Sequence, residues 1–360
     1  MKAIITLLLC FAMSVTIAQD KVFTHKATVA NISGNVSYID HPDLNGNPGA
    51  LILVTHNLSV GGTVYNDKIT GTWYNSGISQ WSVFNEDISA MAEGSAYNVY
   101  VPFGGKVITE QADGTSYTTV IDDVAVNGNP NAVIVYSTYW NPNSVYNNNN
   151  YGFWYDAAAE RWNIYNEATA TNAPNNATFT LLVDDATGGA DSFVHQATAG
   201  NTTSNYTIID HPSLNGKPDA FPIVSHNWGS STGEPANIVM NVTLGVWYNG
   251  SNWTIYTEDT SAMVENTKYN VYVAEELLSV NENIIAGLNF YPNPVDSNFN
   301  VSANSEINSV TVFDVLGKQV FSQEGDAFTM EMDLSVLATG NYLARVQSGD
   351  TTQVIKLVKI

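Results

Sequence analysis

Six histidines fall into two matching triplets, His25, His41 and His56, then His195, His211 and His226, each member of the second set 170 residues after its counterpart. Three imidazoles leave a coordination position open, the donor set of a catalytic zinc site that activates water for hydrolysis. The chain itself argues against that chemistry. Between the triplets lies a third stretch with the same tryptophan pattern, but it carries Asp123 and Thr138 where His41 and His56 align and nothing at the place of His25. The frame therefore does not need the histidines, and none lies in a His-Glu-x-x-His motif. Structural hydrogen bonding is the expected role, with a metal or ligand site in the two complete sets as the alternative.

Other polar clusters can be weighed the same way. Asp40, Asp43, Asn45 and Asn47 offer the oxygens a calcium ion wants. The corresponding stretch has Ser213 and Lys217 at two of those places, and a lysine repels the ion, so the shared Asn-Gly-x-Pro tract reads as a turn. Glu86-Asp87 and Glu258-Asp259 occupy equivalent places, where the middle copy has Glu167-Ala168; these acids are expected to be solvated turn residues. No nucleophile motif, phosphate loop or spaced carboxylate pair recurs, so no catalytic residue or cofactor is assigned and the protein is expected not to be an enzyme.

All eight tryptophans lie at recurring positions. They form three pairs, Trp73 with Trp81, Trp154 with Trp162 and Trp247 with Trp253, plus Trp140 and Trp228 at equivalent places where the first copy has Leu58. An indole is a large apolar plate with one N–H donor, so some are expected in the core, and exposed ones can stack on sugar rings. Trp140 and Trp228, at strand ends in Asn-rich loops, are best placed for this, followed by Trp73, Trp154 and Trp247. An extracellular polysaccharide is the expected ligand. The alternatives are a structural or spacer protein with no small ligand and, more weakly, a metal-dependent hydrolase using the histidines.

The elements that position these residues are strands. Each tryptophan pair sits in a β-hairpin, as in Gly71 to Asn75 with Trp81 to Asp87, where aromatic and β-branched residues alternate with polar ones. The turns differ in length by two residues, which leaves every side chain on its face. A four-residue turn in the third copy would set Tyr248 opposite Trp253 and Val246 opposite Ile255, with Trp247 on the other face; a three-residue turn would put both tryptophans on one face. Before each hairpin runs an apolar strand, Ala50 to Asn57, Ala132 to Thr138 and Ala220 to Asn227, whose near-continuous hydrophobicity predicts burial on both faces. With no helical period anywhere, the chain reads as all-β: three tandem small modules, sandwich-like or open-barrel, at 22–104, 105–186 and 190–275, as separate domains or one fused body. The run of His-x-Ala-Thr, Asp-His-Pro-x-Leu-Asn-Gly-x-Pro, His-Asn and Trp-Tyr-Asn resembles a tandem β-repeat of secreted bacterial proteins for which no activity is established.

The last segment has no tryptophan or histidine. Tyr291-Pro292-Asn293-Pro294, the Gly317-Lys318 turn between alternating strands, Gly340 and Tyr342 before a strand, and the closing Val354 to Ile360 resemble the type A C-terminal sorting domain of the type IX secretion system. The resemblance spans about 280–360, with 276–287 as linker and the domain proper at 288–360. It implies an immunoglobulin-like β-sandwich, contact with the type IX translocon and its sorting protease, and release from or anchoring to the outer surface of a Gram-negative cell via the periplasm. Upstream, Lys2 and an apolar run from Ala3 to Ile17 predict a signal peptide over 1–18. Cys10 is the sole cysteine, so no disulfide is expected in the mature chain, and no later run is long enough to span a membrane. Twelve Lys and Arg against 34 Asp and Glu give a formal charge of −22, which excludes nucleic acid and other polyanions as expected partners.

Overall fold

The computed structural model describes residues 20–62, 64–102, 106–185, 191–230, 238–274, 285, 287–314, 318–349 and 351–360. The expected signal peptide at 1–18, Gly317 and all of 276–287 except Ile285 and Gly287 lie outside the described residues. The chain divides into two compact units, 1–277 and 278–360.

Alternating apolar residues and Gly or Asn turns give the repeats a common strand series, with a short second strand in repeats one and three. Repeat one has β1 (Lys21–Lys26), β2 (Ile32–Ser33), β3 (Val36–Ile39), β4 (Leu53–Asn57), β5 (Thr70–Asn75), β6 (Gln80–Asn85) and β7 (Ala96–Val101), with a single helical turn, α1 (Leu58–Gly61), after β4. Repeat two has β8 (Val107–Gln111), β9 (Thr118–Ile121), β10 (Val133–Tyr139), β11 (Tyr151–Asp156), β12 (Arg161–Asn166) and β13 (Thr178–Asp184). Repeat three has β14 (Ser192–Gln196), β15 (Thr202–Thr203), β16 (Tyr206–Ile208), β17 (Phe221–Ser230), β18 (Leu244–Tyr248), β19 (Trp253–Thr257) and β20 (Lys268–Ala274).

The repeats do not stand apart. Each sheet joins three strands of one repeat to the tryptophan hairpin of another, in the orders β1-β7-β4-β18-β19-β16-β15, β2-β3-β6-β5-β10-β13-β8 and β14-β20-β17-β11-β12-β9. Repeat one thus takes repeat three's hairpin, repeat two takes repeat one's and repeat three takes repeat two's. The exchange closes a pseudo-threefold ring. Short parallel pairings seal each junction: Thr138 opposite Gly71, His226 opposite Gly152 and His56 opposite Gly245.

Each repeat keeps its own core, and Leu53, Val135 and Ile223 meet in a further cluster with Tyr100, Leu182 and Tyr272. This explains the apolar strands. One face of β4 packs on the shared cluster through Leu53 and the other on the repeat core through Val54, and β10 and β17 repeat the pattern. Polar side chains tie the three strands together. Thr55 Oγ1, Ser137 Oγ and Ser225 Oγ accept from the backbone N–H of Val224, Val54 and Tyr136 of a neighbouring repeat at 3.3, 2.8 and 3.2 Å.

The hairpin register settles the face question. Tyr248 lies opposite Trp253 and Val246 opposite Ile255, as the four-residue turn requires, and Trp247 lies opposite Thr254 on the other face. Trp81, Trp162 and Trp253 are fully buried, and each indole N–H donates to a carbonyl of the Asn-Gly-x-Pro turn, Asn47, Asn129 or Lys217, at 2.8 Å. Those turns need their glycines: Gly46, Gly128 and Gly216 have φ of 72°, 72° and 68°, where a Cβ is strained.

The second unit holds β21 (Asn289–Tyr291), β22 (Asn298–Asp314), β23 (Gln319–Asp333), β24 (Gly340–Ser348) and β25 (Thr351–Lys359). Strand β22 pairs with β21, β23 and β24, and its register shifts between Ser302 and Ile307. Bulges of that kind bend a strand. The sandwich implied by the resemblance is built as one five-stranded curled sheet around Phe299, Val310, Met332 and Leu357. Asn293 receives the N–H of Val358 and donates to Lys356 O, Tyr342 donates to Ala338 O, and Lys318 N donates to Asp314 Oδ1, so the motif residues described here fasten turns to strands.

Candidate functional site

Each of the three junctions in the ring holds a buried polar knot, and two of them carry a tryptophan-walled surface cleft. The knot starts from the glutamate at the end of each hairpin. Period two puts Glu258 on the face of Tyr256 and Thr254, and that face turns inward at the junction. Glu86, Glu167 and Glu258 are each 2% exposed, which corrects their expected place in solvated turns; only the following Asp87 and Asp259 are exposed.

Glu258 pairs with His56 Nδ1 at 3.0 Å, accepts from Tyr256 OH, and accepts the Asn66 N–H at 2.9 Å. Glu167 repeats this with His226 Nδ1 at 2.5 Å, Tyr165 OH at 2.9 Å and the Met240 N–H at 2.8 Å. Glu86 has Thr138 Oγ1 and the Asn147 N–H, both at 2.8 Å, and Phe84 in place of the tyrosine. Burial pushes the Glu86 carboxyl up to about 7 against the pull of those two donors. The glycine opening each hairpin exists for this approach. A Cβ on Gly152 would lie 2.5 Å from Glu167 Oε1 and 2.7 Å from Tyr165 OH.

The six histidines are dispersed. His25 and His195 are buried against Ser37 and Thr207 at 2.8 and 2.9 Å, and burial lowers each to about 4. His41 and His211 stack on Phe23 and Phe193, with ring centroids 4.0 and 3.7 Å apart. Only His56 and His226 reach a carboxylate inside the ring. Among the described residues no three His, Cys, Asp or Glu are grouped to hold a metal ion, so the structure does not support the metal reading of these histidines. Asp40 of the proposed calcium loop accepts from Asn45 Nδ2 at 2.7 Å and fixes a turn.

The tryptophans that are not core come together over the knots. Trp73 meets Trp140 edge-to-face at 5.7 Å, and Trp154 meets Trp228 at 6.1 Å. All four are half-buried. Trp140 is held by its backbone N–H on Thr72 O at 3.0 Å. The first corner walls a cleft of about 270 Å³ with Asn35, Val36, Phe84 and Tyr146; the second walls one of about 230 Å³ with Tyr117, Thr118, Tyr165, Thr169 and Val239. The sequence pattern supplied these four tryptophans, but not their pairing, because each corner takes one indole from each of two repeats. Trp247 differs from its counterparts: its neighbour at the third junction is Tyr206, at 5.6 Å, and buried Leu58 stands where the others have tryptophan.

Each cleft also holds an indole donor without an acceptor. Trp140 Nε1 and Trp154 Nε1 are buried with no hydrogen-bond partner among the described residues. An unpaired buried donor costs about 1–3 kcal/mol, and both nitrogens are closed off from the cleft surface in this structure. The arrangement offers flat apolar contact with rim hydroxyls and amides.

Comparison with known proteins gives two family matches. A domain of unknown function (DUF7452) matches residues 4–101, 103–171 and 152–273, and a secretion system C-terminal sorting domain matches residues 289–360. No curated protein matches. Among solved structures, PorZ, an essential bacterial surface component of the type IX secretion system of Porphyromonas gingivalis, is 15% identical with a TM-score of 0.19, over 35% of this chain and 18% of that one.

Proposed function

The chain belongs to the DUF7452 family, and from that premise we propose that its three-repeat body is a non-enzymatic binding module for neutral extracellular polysaccharide, held in the Trp73–Trp140 and Trp154–Trp228 clefts. The sorting domain marks it as a type IX cargo, exported to the outer surface or the medium of a Gram-negative bacterium. The carrying observation is that two half-buried indole corners recur at equivalent junctions, each walling a surface cleft. A sugar ring presents an apolar C–H face to an indole plate and its hydroxyls to rim groups such as Asn35, Tyr146, Thr118 and Thr169. The formal charge of −22 repels acidic glycans and favours neutral ones.

Tryptophan fluorescence of the secreted protein, titrated with a panel of soluble neutral polysaccharides, tests this reading. A saturable change is expected, lost in the Trp140→Ala, Trp228→Ala double variant while the far-ultraviolet dichroism persists. No response to any glycan would leave the spacer role in front.

A further inference from the structure

The two clefts belong to different junctions of one closed ring, one between repeats one and two and the other between repeats two and three. At the third junction, Leu58 takes the place of the strand-end tryptophan and Tyr206 packs edge-on against Trp247 at 5.6 Å. Its backbone tether survives the change: Tyr248 N donates to Ser59 Oγ at 2.7 Å, as Tyr74 N does to Asn141 Oδ1 at 3.0 Å. The third junction is thus closed as a joint without a tryptophan corner.

We propose that the protein is divalent, taking one glycan segment in each tryptophan corner, and that it cross-links neighbouring polymer chains. This rests on the clefts being the glycan sites proposed above. Equivalent junctions of a threefold ring lie about a third of a turn apart. For a body of this size, with a radius of gyration of about 18 Å, that separation is on the order of 30 Å. A glycan lying in one cleft would have to bend round the body over several sugar units to enter the other. A second chain enters without that cost, so at fixed spacing each protein becomes a bridge. Bridging by self-association is told apart from divalence by the single variants, which would still cross-link the polymer if the protein paired with itself.

The test uses a short oligosaccharide cut from whichever neutral polymer gives the fluorescence change, together with the intact polymer. Calorimetry is expected to find two oligosaccharides per protein, and one in each of Trp140→Leu and Trp228→Leu. Leucine is chosen because the third junction already carries it, so folding is retained. The intact polymer should scatter light strongly with wild-type protein near equivalence and clear in excess protein, while either single variant binds the polymer and leaves it clear. One oligosaccharide per wild-type protein overturns divalence with the binding reading intact. Two bound but no scattering overturns cross-linking, since one chain then fills both clefts. No binding by any neutral glycan overturns the binding reading and divalence with it.

Discussion

The junction between repeats one and two and the junction between repeats two and three place a glutamate on the same hydrogen-bonded frame but surround it with different chemistry. Glu167 has an imidazole and a phenol; Glu86 has a threonine hydroxyl and the edge of a phenylalanine. The two partners change together, and the tryptophan corner above persists at both. At the third junction the pattern inverts: Glu258 keeps His56 and Tyr256, while the corner loses a tryptophan to Leu58. Knot and cleft therefore vary independently. A tryptophan is not required to close a junction, and its presence at two of them calls for another reason than packing.

The largest effect should separate the knots. Glu167→Ala strands the Met240 N–H and leaves the Tyr165 hydroxyl and His226 Nδ1, 3.1 Å apart, with only each other in place of a buried carboxylate. At about 1–3 kcal/mol for each buried group left unmade, a loss of about 4 kcal/mol is expected in urea unfolding. Glu86→Ala strands less, because Thr138 Oγ1 already has Thr70 O at 3.2 Å as a second acceptor, and a loss of about 2 kcal/mol is expected. Equal losses would erase the distinction drawn between the junctions.

A smaller effect follows from the raised Glu86 carboxyl. Its ordinary value is 4.5 and its folded value about 7, so the folded state holds the proton more tightly. The stability this contributes is present in full below pH 4.5 and lost as pH rises to about 7, a change of about 3 kcal/mol. Glu86→Gln removes the titration and keeps the contacts: its oxygen accepts from Asn147 N and its amide donates to Thr138 Oγ1. Relative to wild type, the variant should gain about 3 kcal/mol between pH 4.5 and pH 8. A pH-independent difference would show that Glu86 does not titrate in that window. Unfolding should be followed against a His25→Gln, His195→Gln background, because those two buried imidazoles, at about 4 against 6.5, weaken the fold as pH falls through the same range.

The strand inventory, the hairpin face alternatives and the sorting domain were legible in the sequence because each rests on local periodicity or on ordered motifs. The ring was not, since which repeat receives a hairpin is decided by long-range pairing such as Thr138 with Gly71. The buried glutamates were misread for a related reason. A charged residue after a strand is usually solvated, and only the junction with another repeat buries these. One signal was present: Glu86, Glu167 and Glu258 recur in all three copies, while the next residue changes from Asp87 and Asp259 to Ala168. A position that keeps its acid while its neighbour drifts is under a constraint that solvent does not impose. The histidines, expected to hydrogen-bond within the fold, do so at His25 and His195, because their spacing reflects the repeat and not a common target.

The smallest stability effect carries the most functional weight. Trp228→Leu copies into the second cleft the residue that the third junction uses, on a side chain that is half-buried and not sealed in the core. Removing part of an indole from a half-exposed site should cost about 1 kcal/mol, against about 3–5 kcal/mol for truncating a core tryptophan such as Trp162. Binding should respond in the reverse order, with the second cleft's oligosaccharide affinity falling at least tenfold in Trp228→Leu. Thermal unfolding and calorimetry on the same variant decide the matter. A large loss of stability with unchanged affinity would return Trp228 to packing, and with it the claim that knot and cleft are independent.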